Sequence, residues 1–519
     1  MKRRDFLQDV TAAAGGIGAL LARPGNLGAE GAGTDGVTAI VGATLIDGNG
    51  GAPLPDATVV LRGQQIAAVG PRAAVPIPPG ASRIDAAGKF LTPGLIDANV
   101  HLMGNILFEE LFPLLFYGEK DPFTKYGYAL EAAQVALKHG VTTIRDTYDP
   151  LPPMLALRDR LASGAALGPR LQVAGDILGF GGPFPLPIMG YNQPLTRRQE
   201  YWNDFYRGYR PVGERLTTMY PEQVRAAVNA YLDAGPDFVK YAATTHSLWV
   251  PVYIGFSPRV QRAIVEETHR RGKRVEVHSS SAEGHLVAVE AGIDTITHAG
   301  MLEEQVLSDE IVDQILARKV VCVLFTAFSA GPVYRARRDR DRLLASPAPP
   351  GQPDPDLNPD YNGARALPDP SGERRREQLL LLDVESYRRN DRKLIEAGAV
   401  VAVGTDSSTG PWPGIYDPGL VPPTFPQIGR ATVLAVEGLV ELGMTPGQAI
   451  VAATRNGAIA AGALDQFGTI EAGKCADLLI LGADPLADIK NLRRLERVVT
   501  AGRVIDPATL PLEPRYYRR

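Results

Sequence analysis

The chain has 519 residues, 45% apolar and 22% charged, enough to bury the core of a large barrel with a smaller unit beside it. A formal net charge of -4 gives no basic footprint for nucleic acid or for an anionic membrane surface. Its two cysteines, Cys322 and Cys475, lack zinc-type spacing and read as unpaired structural thiols.

The first residues are a leader rather than fold. Lys2, Arg3 and Arg4 precede an apolar stretch of small residues from Val10 to Ala22, and small residues follow. That order is a secretion signal over residues 1–32, and the paired arginines resemble the twin-arginine type. The apolar run is too short for a permanent anchor. The expectation is an exported, periplasmic protein with no membrane anchor in its mature form.

After a Gly-rich link, short runs rich in Val, Ile and Thr follow: TAIVGATLID, ATVVLRGQQIAAVG and SRIDAAGKFLTPG. Similar runs return at DLLIL and VVTAGRVI near the end. Such runs punctuated by Gly read as strands. They predict a small β-sandwich built from both chain ends, residues 37–90 plus 465–510.

Between them, residues 91–464 alternate apolar strands with helical patterns. Strands are expected at 95–102, 142–146, 171–177, 238–242, 274–278, 295–298, 320–325 and 400–406. Helical stretches such as PEQVRAAVNAYLDAG and SPRVQRAIVEETHRRG lie between them and end at Gly. Eight such units favour an α/β fold of the (β/α)8 TIM-type barrel over an open sheet. Two insertions interrupt the pattern. Residues 180–209 are rich in aromatics, and residues 326–375 are Arg-rich, then Pro-rich. A long loop after the seventh strand emerges on the catalytic face of a barrel and reads as a lid.

Polar residues end these strands, where barrel enzymes keep their catalytic groups. Asn99 and His101 close the first strand, Lys240 the fourth, His278 the fifth, His298 the sixth and Asp406 the eighth. Of seven histidines in the chain, three fall here. Imidazoles and a carboxylate converging from parallel strand ends suit a divalent metal. His139, His269 and His285 sit in helical patterns and read as structural or surface residues. His246 and Tyr241, beside the fourth strand end, are candidates for lining a substrate pocket.

These motifs resemble one family. LTPGLIDANVHL is similar to the first-strand motif of the amidohydrolase superfamily, and DFVKYA, VEVHS, DTITHAG and VAVGTDS are similar to its later ligand strands, in order. The closing segment GMTPGQAIVAATRNGAIAAGALDQFGTIEAGKCADLLILGADPLADI resembles the imidazolonepropionase-like and prolidase-like dipeptidase branch. The resemblance runs from Thr38 to Asp506 and weakens only over the insertions.

The resemblance implies the roles. His101 and Asp406 would bind the more buried ion, and His278 and His298 the second. Lys240, carboxylated by CO2 to a carbamate, would bridge them. Asp406 would take the proton of the attacking water. The metal would be divalent: zinc first, with manganese and iron also open. The family usually has His where this chain has Asn99. An amide oxygen is a poorer zinc ligand than imidazole, so one or two ions remain open, with two favoured.

The expected function is metal-dependent hydrolysis of an amide or peptide-like bond in a small-molecule substrate. Lactone or ester hydrolysis and heterocycle deamination remain alternatives within the fold, with Lys240 arguing against deamination. An exported pseudoenzyme or binding protein is the alternative outside catalysis. A homo-oligomer is compatible with the sequence.

Overall fold

The computed structural model describes residues 36–102, 122–149, 151–179, 219–244, 254–302, 305–335, 338, 384–408 and 428–511. The signal segment, most of both insertions and His246 lie outside them.

The N-terminal strands are β1 (Val37–Leu45), β2 (Leu54–Arg62), β3 (Gln65–Pro71), β4 (Ser82–Asp85) and β5 (Phe90–Pro93). The central strands are β6 (Leu95–His101), β7 (Val141–Asp146), β8 (Arg170–Val173), β9 (Ile177–Leu178), β10 (Val239–Ala242), β11 (Val275–His278), β12 (Thr295–Ile296), β13 (Val321–Leu324), β14 (Val400–Val403) and β15 (Ser407–Ser408). The chain closes with β16 (Leu478–Leu481), β17 (Leu495–Thr500) and β18 (Arg503–Ile505).

The two chain ends form one mixed sheet in the order β18-β17-β16-β5-β1-β2-β3, with β4 alongside β1. As expected, strands from both chain ends build this unit, with β1 pairing β4 at one end and β5 at the other. Register shifts in β1 at Val41/Ala43 and Ala43/Leu45 mark bulges, and bulges bend and twist a sheet. Ile40, Val59, Leu61, Leu91, Leu478 and Ile480 pack on one of its faces.

The central strands pair in parallel as two arcs, β15-β6-β7-β8 and β9-β10-β11-β12-β13-β14. The arcs join because two strand positions are broken. β8 and β9 are halves of the third, parted around Gly175 at φ 77°, and β14 and β15 are halves of the eighth, parted around Asp406 at φ 50°. The ring thus closes at eight positions, as expected from the sequence. The sixth strand is shorter than expected and stops at Ile296.

Helices follow the strands: α1 (Pro122–Lys138), α2 (Leu151–Ala162), α3 (Pro221–Asp233), α4 (Pro258–Arg270), α5 (Ala282–Ala291), α6 (Asp309–Arg318), α7 (Thr326–Ser329), α8 (Val384–Glu396), α9 (Arg430–Glu441), α10 (Pro446–Ala453) and α11 (Arg455–Ala460). Local chemistry explains their limits. The Ser257 hydroxyl accepts from the Val260 N–H to cap α4, with Pro258 at the first helical position. Gly292, left-handed at φ 94°, ends α5.

Outward strand residues such as Val239, Tyr241, Val275, Val277 and Leu324 pack against these helices in the main core. Inside the barrel, Ala98, Val321, Val323 and Ala402 meet Ala460 of α11. The second insertion starts later than expected. Thr326 to Ser329 form α7, and Phe325, Phe328, Val333 and Tyr334 cluster with Val384 and Tyr387 of α8. Apolar residues there are core, which the Arg- and Pro-rich sequence beyond them obscured. Both cysteines are free, Cys322 buried and Cys475 half-buried. Among the described residues no helix is long and apolar enough to cross a membrane.

Candidate active site

The pleat and one irregularity aim the side chains. Ile96 and Ala98 of β6 pack inside the barrel. Simple alternation would then turn Asn99 outward. The register against β7 shifts between Asp97 and Val100, so Asn99 and His101 both face the interior while Val100 and Leu102 join the helix-side core. A bulge beside a site is a common way to re-aim a side chain. On β10 and β11, Lys240 pairs with Glu276 and Ala242 with His278 in register. Lys240, Glu276 and His278 therefore share the inner face.

The inward groups touch. His101 Nε2 lies 2.9 Å from Asp406 Oδ1, and Asn99 Nδ2 donates to the same oxygen at 2.8 Å. Lys240 Nζ donates to Asn99 Oδ1 and to Thr147 Oγ1, both at 3.1 Å, and the Thr147 hydroxyl donates to Asn99 Oδ1. His278 Nδ1 and His298 Nε2 are 3.0 Å apart, and Ser280 Oγ is 3.3 Å from His278 Nε2. Beneath them Glu276 accepts from Arg145 Nη1 at 2.6 Å and stands 3.6 Å from Lys240 Nζ. The Arg145 guanidinium also lies 4.0 Å from the centre of the Phe238 ring.

The electrostatics follow from burial and neighbours. Burial opposes ionisation of Asp406, yet the hydrogen bond and charge of His101, with His298 and Lys240 behind it, hold its carboxyl well below the usual carboxylate range. Burial pushes the Lys240 ammonium below its ordinary value, with Glu276 and Asp406 opposing the shift. His298 at φ 40° and Asp406 at φ 50° both adopt left-handed backbone. Residues other than Gly pay strain there, and such strain gathers at functional sites.

The structure brings Asn99, His101, Lys240 and Asp406 into one cluster and His278 and His298 into a pair. Asp406 links the two electrostatically. Among the described residues no group of three or more His, Cys, Asp or Glu closes into an ion cage. Asn99 and Lys240 occupy the remaining places around Asp406.

One expectation changes. Tyr241 does not line the site: it is wholly buried on the helix side, its hydroxyl donating to Gln261 at 2.8 Å. It follows Lys240 on the strand, so alternation sends it outward. Asn99 is engaged at both ends of its amide. Thr147 and Lys240 donate to its oxygen, and its N–H faces Asp406. In this arrangement the amide braces Asp406 by hydrogen bonds.

His269 pairs with Asp294 at 2.8 Å on the surface, and His139 and His285 are held neutral by burial, each pushed down to about 4. Sequence reasoning passed over Thr147, Glu276 and Arg145. Each sits on a strand end or inner face, and the only signal was polarity within runs otherwise apolar.

The sequence profile of the amidohydrolase family matches residues 90–505. The structure of a molinate hydrolase superposes with a TM-score of 0.75 at 32% identity, covering 92% of this chain and 97% of that one. Phenylurea hydrolase B superposes at 0.73 with 30% identity over 92% and 98% of the two chains. Ochratoxinase of Aspergillus niger is 25% identical over 487 residues, spanning 88% of this chain and 83% of that one.

Proposed function

This chain belongs to the amidohydrolase family, and on that premise we propose that it hydrolyses an amide or peptide-like bond of a small substrate with a divalent ion at the strand ends. The observation that carries the reading is Asp406: a half-buried strand-end carboxylate, held ionised and hydrogen-bonded to His101 at 2.9 Å. An ionised carboxylate beside the imidazoles can take a proton from water once a bound ion has lowered the pKa of that water.

The donor set fits an ion. The ring nitrogens of His278 and His298 stand 3.0 Å apart, a separation suited to adjacent corners of a site with metal–nitrogen bonds of about 2.0–2.1 Å. His101 Nδ1 is buried without a hydrogen-bond partner among the described residues, which suits a ring whose orientation is set from its other nitrogen. His278, His298, Asp406 and His101 would hold the ion. Imidazole with carboxylate suits zinc. Lys240, carboxylated by CO2, would be a further ligand, since burial that disfavours the ammonium favours the amine that CO2 attacks. With Asn99 as a brace, the arrangement supports one ion better than two.

When bound, the ion would lower the pKa of water and polarise the scissile carbonyl. Asp406 accepts the proton of the attacking water and returns it to the leaving nitrogen. Asn99 and His101 hold its Oδ1 and so fix the direction of the carboxylate.

The substrate class follows from the relatives: by name, one acts on molinate and another on phenylureas. N-substituted carbamoyl compounds and N-acyl amino acids are the first substrates to try, ahead of dipeptides. Export through the twin-arginine route to the periplasm belongs to the same proposal. The test is hydrolysis across these classes before and after chelation, with zinc, manganese or cobalt added back. Hydrolysis lost on chelation and restored by metal is expected. Undiminished hydrolysis by metal-free protein, or none on any class with metal bound, overturns the proposal.

A further inference from the structure

Directly behind the site, on the helix side of the sheet, lies a buried polar knot that the proposed chemistry does not use. Asp97 sits at its centre. It precedes the bulge in β6 and so points outward, away from Asn99 and His101. Its Oδ1 accepts from the Thr405 N–H at 3.2 Å and from the Asn99 N–H at 3.4 Å. Its Oδ2 accepts from the Thr405 hydroxyl at 2.8 Å and from the Thr432 hydroxyl at 2.7 Å. Thr432 comes from α9, a different layer of the fold. Thr405 Oγ1 in turn lies 2.7 Å from Ser407 Oγ. Asp97, Thr405, Thr432 and Ser407 are all 1% exposed or less.

The place of the knot matters more than its bonds. It sits at the seam where the eighth strand breaks and the first strand bulges. The N–H groups of Thr405 and Asp406 both reach the Asn99 carbonyl, at 3.2 and 2.8 Å. At that crossing two backbone irregularities turn the functional side chains inward: the bulge turns Asn99, and the left-handed backbone turns Asp406. Positive φ at Asp406 is uncommon for a residue other than Gly. Strained backbone persists only where its surroundings over-determine it. Asp97 grips the residue before Asp406 by both its N–H and its hydroxyl, and Thr432 fixes the far oxygen of that grip.

We infer that Asp97, Thr405 and Thr432 are positioning residues for Asp406, through which α9 sets the direction of the proton-accepting carboxylate. A knot that served packing alone could sit at any seam of the ring. This one holds the backbone on either side of both inward-turned residues. The inference rests on the functional reading above.

The experiment is Thr432→Val in the full chain, beside Thr432→Ser and the control Thr268→Val. Thr268 is equally buried, but its hydroxyl donates only to Ile264 O of its own helix. The readouts are kcat and KM separately, and zinc affinity by competition with a chromophoric chelator. Removing an outer partner of a metal site typically costs about 10- to 100-fold in affinity or activity. Thr432→Val is expected to lose kcat or zinc affinity in that range with KM little changed, Thr432→Ser to restore both, and Thr268→Val to change neither. If the valine variant does not accumulate folded, Thr432→Ala carries the same expectation. Wild-type kcat and zinc affinity in Thr432→Val, or an equal loss in Thr268→Val, overturns the inference. Wild-type protein without metal-dependent hydrolysis overturns the functional reading instead, and this inference with it.

Discussion

Glu276→Gln tests the ionic chain beneath the site. Glu276 is 0% exposed and its partners Arg145 and Lys240 are each 1% exposed, with contacts of 2.6 and 3.6 Å. At an effective dielectric constant near 20, those distances correspond to gross attractions of about 6 and about 5 kcal/mol. The net effect is smaller, because burying the charges costs much of it. Lys240, whose ammonium is already disfavoured by burial, can shed its proton once Glu276 is neutral. Arg145 cannot. One uncompensated buried guanidinium therefore remains, and breaking a buried pair in that way costs about 3–5 kcal/mol. The assay is urea denaturation of metal-free protein, so that ion binding does not enter, with wild type and variant compared by transition midpoint and slope. A double replacement, Arg145→Leu with Glu276→Leu, should cost less than the two single changes together, since no charge is stranded. A loss below about 1 kcal/mol for Glu276→Gln, the level of an exposed pair, would refute the view that the chain is a closed, mutually dependent unit.

Two further outcomes follow from the same geometry. If Asn99 braces rather than ligates, Asn99→Ala should lower kcat by about 10- to 100-fold with bound metal unchanged, and Asn99→His should not add an ion; elemental analysis of both variants decides it, since loss of the ion in Asn99→Ala would make the side chain a ligand after all. His285 is pushed down to about 4 from 6.5 by burial. Its folded-state pKa is depressed, so its contribution to stability is full above 6.5 and is lost as pH falls toward 4. Between pH 6.5 and 5 the loss is about 2 kcal/mol. His139, also down to about 4, adds a loss of the same sign, whereas Asp391, raised by burial to about 7, works in the opposite sense. The difference between wild type and His285→Gln isolates the single ring: the variant should show the shallower fall in urea midpoint between pH 7 and 5, and parallel curves would show that His285 takes no part.

The barrel was legible because its strands repeat one physical pattern: an apolar run, a polar strand end, then a helix closed by Gly. Lys240, His278 and Asp406 stand out because they end runs such as DFVKYA, VEVHS and VAVGTDS. The inner or outer direction of a residue was legible only where alternation is regular. Tyr241 was misjudged because closeness to Lys240 in sequence was taken for closeness in space, although neighbours on a strand face opposite ways. Asn99 and His101 share a face as their spacing implied, but the bulge that turns that face inward leaves no mark in ANVH. Arg145 and Glu276 were invisible for a different reason. A buried ion pair depends on register between β7 and β11, which are 131 residues apart in the chain, and no local pattern records that meeting.

Asn99 shows most clearly how a one-residue departure is absorbed. A second imidazole at that place would bring a ligand nitrogen toward the ion and leave Asp406 held by His101 alone. The shorter amide instead reaches Asp406 Oδ1 at 2.8 Å while its oxygen is engaged by Thr147 and Lys240. The amide thus has a fixed polarity, acceptor toward the two donors and donor toward the carboxylate, and the orientation needs both ends satisfied. With one oxygen of Asp406 bound by both Asn99 and His101, the carboxylate loses freedom to rotate. On the proposed reading, what the site gives up in ligands it recovers in the direction of Asp406, and the knot at Asp97 secures from behind the backbone of both residues.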